Sequence, residues 1–265
     1  MAGAAYQADD DGPGDPLSHA LQLQEQDLPA LVAAALAAGR VRLAFQPVVM
    51  AADPRRVAFH EGFIRLLDPA GRLLPAASFI AGVQDRAEGR DLDAAALRLG
   101  FAALRRDPRL RLSVNMSARS IGDDGWRAAL DAGLAADPEA GARLILEISE
   151  SSAMTLPELV IRFMAAMQPR GLSFALDDFG DGLLSFRHLR DFLFDMVKIA
   201  PGFVRGLDAA PDNQVLVEAL VAVARQFGMF TVAEGVERAG ESAHLARLGV
   251  DCLQGYLFGR PRPAP

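Results

Sequence analysis

The 265-residue chain is 51% hydrophobic and 23% charged, carries a net charge of −7 and has a single cysteine, Cys252. These values are ordinary for a globular protein with a large core, and the length suits one barrel or two small domains. An acidic chain lacks the positive charge that displaces counterions from long DNA or RNA, which disfavours such a partner. One cysteine excludes an intrachain disulfide.

The start of the chain and its apolar runs bear on where the protein works. No apolar run reaches the roughly 18 residues that cross a bilayer, and the opening MAGAAYQADDDG shows no signal peptide. These features predict a cytoplasmic protein with no membrane partner. Residues 1–16 are rich in Asp, Gly and Pro and predict a disordered acidic tail. Residues 17–265 are predicted to form one barrel domain.

The rest of the chain alternates between two kinds of pattern. A helix is predicted from Leu17 to Ala38, with Gly39 ending it. Strands rich in β-branched residues are predicted at 41–48, 57–65, 110–115, 143–148, 172–177, 195–199, 229–233 and 251–256. Helical spacing predicts further helices at 91–106, 123–136, 156–168, 213–227 and 239–247. Eight strands alternating with helices predict an α/β fold, a TIM-like (β/α)8 barrel.

One connection departs from the barrel rule. Only about eight residues join the first two predicted strands, whereas a parallel crossover needs a dozen or more. The first strand is therefore expected to run antiparallel to its neighbour. Residues 66–90 are irregular in pattern and are expected to cover one end of the barrel.

Polar residues recur where buried strands should be apolar. Seven consecutive predicted strands carry them, within the strand or at its C-terminal end: Glu61, Asn115, Glu147, Asp177 with Asp178, Lys198, Glu234 and Gln254. The C-terminal ends of barrel strands meet at one mouth, where active sites are built. Solvated caps of the following helices are an alternative that explains one or two of these residues but not seven in register.

The chemistry of this set points to metal ions. Converging carboxylates repel and raise one another's pKa values unless cations balance them, and oxygen ligands favour hard ions such as Mg²⁺ or Mn²⁺. Adjacent Asp177 and Asp178 can reach two ions about 3.5–4 Å apart, the spacing used in phosphoryl hydrolysis. The four histidines lie apart in the sequence and are interpreted as surface or packing residues.

Eight short motifs occur in a defined order. They are AFQPVV (44–49), EGFIR (61–65), VNMSA (114–118), LEISES (146–151), LDDFGDG (176–182), VKIAPGFV (197–204), VAEGVE (232–237) and QGYLFGRP (254–261). In order and spacing they resemble the EAL domain family over residues 41–263, nearly the whole chain. Members of that family are cyclic di-GMP phosphodiesterases, so the resemblance implies a bacterial signalling enzyme that hydrolyses cyclic di-GMP to linear pGpG at two Mg²⁺ or Mn²⁺ ions.

The resemblance also implies roles for individual residues. The ligands of one metal would be Glu61, Asn115, Glu147 and Asp177, and those of the second Asp177, Asp178 and Glu234. Lys198 would position or help deprotonate the attacking water, with Glu234 as a base candidate. Arg65 would face a substrate phosphate and Gln46 is a weaker candidate for substrate contact. The supporting residues would be Glu150, which tethers the DDFGDG loop, and Glu237 and Gln254, which hold water or orient ligands.

Three motifs depart from the family pattern. Glu-Ala-Leu is replaced by Glu61-Gly62-Phe63, Lys-Ile-Asp by Lys198-Ile199-Ala200, and Phe-Gly-Thr-Gly-Tyr-Ser-Ser by the seven residues 179–185 (FGDGLLS). These changes support an alternative function, a catalytically impaired receptor that binds cyclic di-GMP or a protein partner. A different metal-dependent barrel enzyme is a third possibility.

Two further expectations concern Lys198 and assembly. Lys198 lies among apolar strand residues, where an ammonium without a partner is costly, so the alternative to a catalytic role is a salt bridge to Glu237 or Asp178. The resemblance also implies a homodimer through the face near residues 181–210, where Leu183, Leu184 and Phe186 would favour a buried contact.

Overall fold

The computed structural model describes residues 28–182 and 189–265. The predicted tail at 1–16, the first part of the helix predicted from Leu17, and Leu183, Leu184 and Phe186 lie outside the described residues. The strands are β1 (Val41–Met50), β2 (Asp53–Leu67), β3 (Leu73–Pro75), β4 (Leu112–Asn115), β5 (Leu144–Ser149), β6 (Ser173–Phe179), β7 (Met196–Ile199), β8 (Phe230–Ala233) and β9 (Cys252–Gln254). All eight predicted strands are present.

The helices follow the predicted pattern with small shifts at their ends. They are α1 (Leu28–Ala37), α2 (Ile80–Val83), α3 (Ala87–Arg106), α4 (Asp124–Ala136), α5 (Glu150–Thr155), α6 (Pro157–Met167), α7 (Pro201–Val204), α8 (Pro211–Gln226) and α9 (Ala239–Leu248). The Asp123 side chain accepts from Trp126 N and caps α4. Gly249, with φ of 81°, ends α9 in the left-handed conformation that glycine adopts without strain.

Eight of the strands close into a barrel. They are hydrogen-bonded in the order β1-β9-β8-β7-β6-β5-β4-β2, and β1 pairs with β2 to complete the circle. β1 runs antiparallel to both β2 and β9, whereas the other barrel pairings are parallel. The predicted TIM-like barrel with an antiparallel first strand is therefore confirmed, because the two-residue turn after β1 allows only a hairpin.

The segment at 66–90 is more regular than its sequence pattern suggests. It contains β3, a 3₁₀ turn at Ala76–Ser78 and α2, which are too short to produce a readable periodicity. Phe79 and Leu74 pack with α1 against Leu66 at the end of β2. Since β2 pairs with β4 only as far as Gly62, this segment supports the part of the β1–β2 hairpin that continues beyond the barrel mouth.

The two faces of the barrel strands serve different cores. Phe174 of β6 points outward and meets Phe163 of α6 edge-on, which in turn meets Trp126 of α4. Ala175, the next residue, points inward. The inward cluster is Val48, Phe59, Ile145, Ala175, Met196, Val232 and Cys252, seven residues from seven different strands. No helix among the described residues has the length and apolar character needed to cross a membrane.

Candidate active site

A ring of polar side chains lies directly above the inward apolar cluster. Side chains two positions apart on a strand point to the same side. The residue two positions nearer the mouth from each cluster residue therefore also points into the barrel. On the seven strands concerned these residues are Gln46, Glu61, Glu147, Asp177, Lys198, Glu234 and Gln254. Asn115 of β4 pairs in register with Glu147 and completes the set. We call these eight residues the polar ring.

Lys198 lies at the centre of the ring and is fully buried. Its Nζ lies 2.8 Å from both Glu61 Oε2 and Glu147 Oε2, 2.7 Å from Glu234 Oε1 and 3.3 Å from Asp177 Oδ1. Four strands thus direct their carboxylates at one ammonium. The sequence analysis considered a salt bridge from Lys198 to Glu237 or Asp178. The structure shows contacts with four other carboxylates instead, because the Lys198 side chain ends at the centre of the ring.

Amide side chains fix the carboxylate of Glu61. Asn115 Nδ2 donates to Oε1 at 2.8 Å, and Gln254 Nε2 donates to Oε2 at 2.7 Å. Gln254 Nε2 also lies 3.2 Å from Gln46 Oε1, and Gln46 Nε2 donates to the carbonyl of Gly259 at 2.9 Å. Since the Asn115 nitrogen faces Glu61, its oxygen is the atom that can face a cation.

Three acidic residues meet on one side of the ring. Carboxylate oxygens of Asp177, Asp178 and Glu234 all lie within 4.8 Å of one another. Consecutive strand residues would normally point to opposite sides. Asp178, however, has φ of 57°, in the left-handed region that non-glycine residues rarely adopt, and the β6–β7 register shifts between Leu176 and Phe179. This local turn brings both aspartates to the same site.

Negative charge exceeds positive charge in the ring, and the pKa values reflect it. Burial and Glu61 raise the pKa of Glu147 to about 8. Burial and Asp177 likewise raise the pKa of Glu234 and of Asp178. Burial would lower the pKa of Lys198, but the surrounding carboxylates, Asp177 foremost, outweigh it and raise that pKa well above its usual value.

Glu61 behaves oppositely. Burial would raise its pKa, but the charge of Lys198 and the hydrogen bonds from Lys198, Gln254 and Asn115 together outweigh burial and lower it. Glu61 is therefore the carboxylate that the protein itself stabilises as an anion. Glu147, Asp178 and Glu234, whose pKa values are raised, need a further positive charge to be ionised together.

The donor set fits divalent cations. Glu147 Oε1 is buried and accepts no hydrogen bond from the described residues, although such atoms are normally satisfied. Asp177 Oδ1 is also buried, and its contact with Lys198 at 3.3 Å does not satisfy hydrogen-bond geometry. Carboxylate and amide oxygens, without a nearby thiolate or imidazole in the ring, suit hard ions. The polar ring and Asp178 can hold such ions.

Metal binding is expected to release protons from this site. Glu147, with a pKa of about 8 in the metal-free protein, is mostly protonated at neutral pH and must lose its proton to bind a cation. The affinity for Mn²⁺ should therefore rise with pH, and Glu147 should contribute close to one released proton near pH 6.5 and about half a proton near pH 8. Titration calorimetry in buffers of different ionisation enthalpy measures this release. A pH-independent affinity would contradict the protonation of Glu147, and Glu147→Gln serves as the matched variant.

The remaining predicted residues lie around the ring. Arg65 lies on the inward side of β2, four residues beyond Glu61, and its guanidinium sits 5.5 Å from the Phe63 ring centre. Glu150 is buried, and its Oε2 accepts from Gly180 N at 3.2 Å in the DDFGDG loop. Glu237 is not brought into the ring, because its half-exposed side chain lies 3.9 Å from Arg205 on the rim.

Two acidic residues that hold loops at the mouth were missed from the sequence. Glu241 is buried and accepts from the amides of Gly206, Glu237 and Arg238, which joins the loops after β7 and β8. Its position three residues after Arg238 matches the capping-box spacing that could have indicated it. Asp93 of α3 accepts a hydrogen bond from the loop after β4. Its sequence signal was its position between two apolar residues, Leu92 and Ala94, which are buried.

The fold and the ring together define a TIM-like barrel with an acidic, oxygen-lined centre at its mouth. Residues 30–261 match the family model of the EAL domain. The chain therefore belongs to the EAL domain family.

Relatives and solved structures agree with this assignment. The chain is 30% identical over 237 residues to the cyclic di-GMP phosphodiesterase PdeB of Shewanella oneidensis. That alignment covers 88% of this chain and 28% of the relative. The chain is also 30% identical over 253 residues to the cyclic di-GMP phosphodiesterase NbdA of Pseudomonas aeruginosa, covering 92% of this chain and 31% of the relative. The chain thus spans less than a third of the length of either relative.

Solved structures resemble the barrel over most of its length. The PaMucR phosphodiesterase in complex with c-di-GMP has a TM-score of 0.82 at 27% identity, covering 90% of this chain and 98% of that one. The FimX EAL domain of Pseudomonas aeruginosa bound to c-di-GMP has the same TM-score at 26% identity and the same coverage.

Proposed function

We propose that this chain hydrolyses cyclic di-GMP to linear pGpG with two Mg²⁺ or Mn²⁺ ions, as a cytoplasmic phosphodiesterase of bacterial second-messenger signalling. The observation that carries the proposal is the polar ring, in which four carboxylates converge on Lys198. Similarity to two cyclic di-GMP phosphodiesterases supports the substrate. The barrel's similarity to two c-di-GMP complexes supports binding of that nucleotide.

The proposed metal ligands are those that the resemblance to the EAL family implied, and all of them lie in the polar ring or at Asp178. One ion would be held by Glu61, Asn115, Glu147 and Asp177, and the other by Asp177, Asp178 and Glu234. When bound, the ions supply positive charge that stabilises charge developing on the phosphate and favours ionisation of the attacking water. Asp177 belongs to both groups, which makes it the residue on which the whole site depends.

The chain's own side chains perform the remaining steps. When bound ions draw the surrounding carboxylates away from its ammonium, Lys198 would position or help deprotonate the attacking water. Glu234, 2.7 Å from that ammonium, is the candidate base for the water's proton. Arg65 extends beyond Glu61 on the same side of β2, where a planar guanidinium can bind two phosphate oxygens. Gln46 is proposed to contact the substrate, Gln254 to orient Glu61, and Glu150 to hold the DDFGDG loop. Glu237 is proposed to hold water at the rim.

The altered motifs leave the ligand set complete. A side chain at position 62 would point away from the ring. A methyl group on Gly62 would lie 3.3–3.4 Å from Ser113 O and from the Leu43 and Leu112 side chains. The leucines thus already fill the space on that side of the strand. Ala200 is buried and removes a carboxylate without removing a metal ligand. Asp181, by contrast, adds negative charge that helps raise the pKa of Asp178.

The alternative, a catalytically impaired receptor of cyclic di-GMP or a protein partner, is favoured by these same departures around Asp181 and Ala200. Incubation with cyclic di-GMP and Mg²⁺ or Mn²⁺, followed by chromatography of the products, separates the two functions. Linear pGpG is the expected product. Tight binding measured by calorimetry without any product would replace the enzyme with the receptor.

We also propose a homodimer through the face near residues 181–210, of which 183–188 lie outside the described residues. Within the described part, Leu193 is 40% exposed and offers apolar contact area. Light scattering at high micromolar concentration should report the mass of two chains. A monomer across the whole concentration range would contradict the dimer.

A further inference from the structure

The three backbone amides that follow Asn115 all donate hydrogen bonds to neighbouring elements. The N–H groups of residues 116–118 donate to Glu147 O on β5, Asp93 Oδ2 on α3 and Ser152 Oγ on α5, at 2.9, 2.7 and 2.8 Å. Each acceptor belongs to a different element. The direction in which the chain leaves Asn115 is therefore set by the backbone of β5 and by two side chains outside the polar ring, Asp93 and Ser152.

Asp93 accepts two hydrogen bonds from this segment. Its Oδ2 accepts from Ser117 N at 2.7 Å and from Ser120 Oγ at 2.6 Å, so one oxygen joins both ends of the turn that follows Asn115. Burial raises the pKa of Asp93 to about 6, which leaves it mostly ionised at neutral pH. Hydrogen bonds to an ionised acceptor are roughly twice as strong as neutral ones.

We infer that Asp93 is a positioning residue, which fixes the turn after β4 and thereby aims the Asn115 amide between Glu61 and the metal site. This inference rests on the proposed function, since it assigns Asp93 to the support of a metal ligand. Asn115 Nδ2 must stay 2.8 Å from Glu61 Oε1 for its oxygen to face the ring. A shift of the turn would rotate the amide and weaken both contacts.

The size of the effect follows from other metal sites. Groups that orient metal ligands change metal affinity by about 10–100-fold when they are removed. Asp93→Ala leaves the Ser117 amide without its acceptor, whereas Asp93→Asn retains an oxygen at the same place. Asp91→Ala removes an equal charge from an exposed position on the same helix and is the matched control.

The test is calorimetric titration of each variant with Mn²⁺ at one neutral pH, with circular dichroism and the fluorescence of buried Trp126 to confirm folding. Asp93→Ala should weaken Mn²⁺ binding by about 10–100-fold. Asp93→Asn and Asp91→Ala should each stay within about threefold of the parent. A folded Asp93→Ala protein with Mn²⁺ affinity within threefold of the parent would overturn the inference.

A second variant covers the case in which Asp93→Ala does not fold. Ser120→Ala removes one of the two donors to Asp93 Oδ2 and should weaken Mn²⁺ binding by about threefold to tenfold, below the full effect of losing the group. Unchanged affinity in that variant would also overturn the inference. A parent that binds Mn²⁺ but never hydrolyses cyclic di-GMP overturns the proposed enzyme and leaves this test decisive. A parent that binds no Mn²⁺ overturns both.

Discussion

Asp177→Asn is expected to reduce the rate of cyclic di-GMP hydrolysis by at least about 100-fold at saturating Mn²⁺, the usual loss when a group of this kind is removed. Asp177 is the one residue proposed to contact both ions. Its charge also contributes to the raised pKa values of Glu147, Asp178, Glu234 and Lys198. Replacing one carboxylate oxygen by a nitrogen therefore changes the field at every other ionisable group nearby.

The measurement is the initial rate of pGpG formation, with Mn²⁺ affinity determined in parallel. Asp181→Asn is the matched control, because it removes one carboxylate just after β6, at an exposed position outside the polar ring. We expect the control to stay within about threefold of the parent, and Asp177→Asn to lose Mn²⁺ affinity as well as rate. Activity of Asp177→Asn within threefold of the parent would contradict its place between the two ions.

The position of the polar ring was predictable from the sequence because the side chains of a strand alternate between its two faces. Six of the eight ring residues follow an inward apolar residue by two positions, so identifying the strands was enough to place Glu147 and Asp177 at the same mouth. The hairpin of β1 and β2 was equally readable, because the length of a connection limits its topology. Both inferences need only local information about the chain.

Contacts between distant elements could not be read in this way. Asp93 and Glu241 bind backbone amides of loops 24 and 35 residues away, and the local signals at these positions do not identify such distant partners. The partners of Lys198 were also unpredictable, because they depend on side-chain directions across the barrel. β3 and α2 escaped detection because three or four residues do not establish a period.

The turn at Asp178 illustrates a third kind of limit. The sequence Asp177-Asp178 predicted two carboxylates at one site, although adjacent strand residues point to opposite sides. The structure resolves the conflict with a left-handed φ at Asp178 and a register shift in β6. Local strain of this kind persists where the surrounding structure determines it, and it clusters at functional sites.

Lys198→Met is expected to separate binding from turnover. Lys198 is the single lysine of the sequence, and its ammonium lies within 3.3 Å of four carboxylates. Methionine retains the apolar stem and the volume but removes the charge. In the metal-free protein this leaves Glu61 and Glu147 buried without their cation, and breaking such a pair typically costs about 3–5 kcal/mol of folding free energy. Mn²⁺ should restore most of that stability, which thermal unfolding monitored by Trp126 fluorescence would detect.

In the presence of Mn²⁺ the variant should bind cyclic di-GMP with an affinity within about tenfold of the parent, under 1.4 kcal/mol. Its turnover should fall by about 100-fold or more, as when a group that acts mainly in the transition state is removed. Calorimetry and product chromatography on the same preparation decide the matter. If affinity collapses while the rate per bound complex is unchanged, Lys198 is a binding residue. If the parent itself binds without turnover, the receptor replaces the enzyme, and the four carboxylates around Lys198 then serve to hold the nucleotide and its ions.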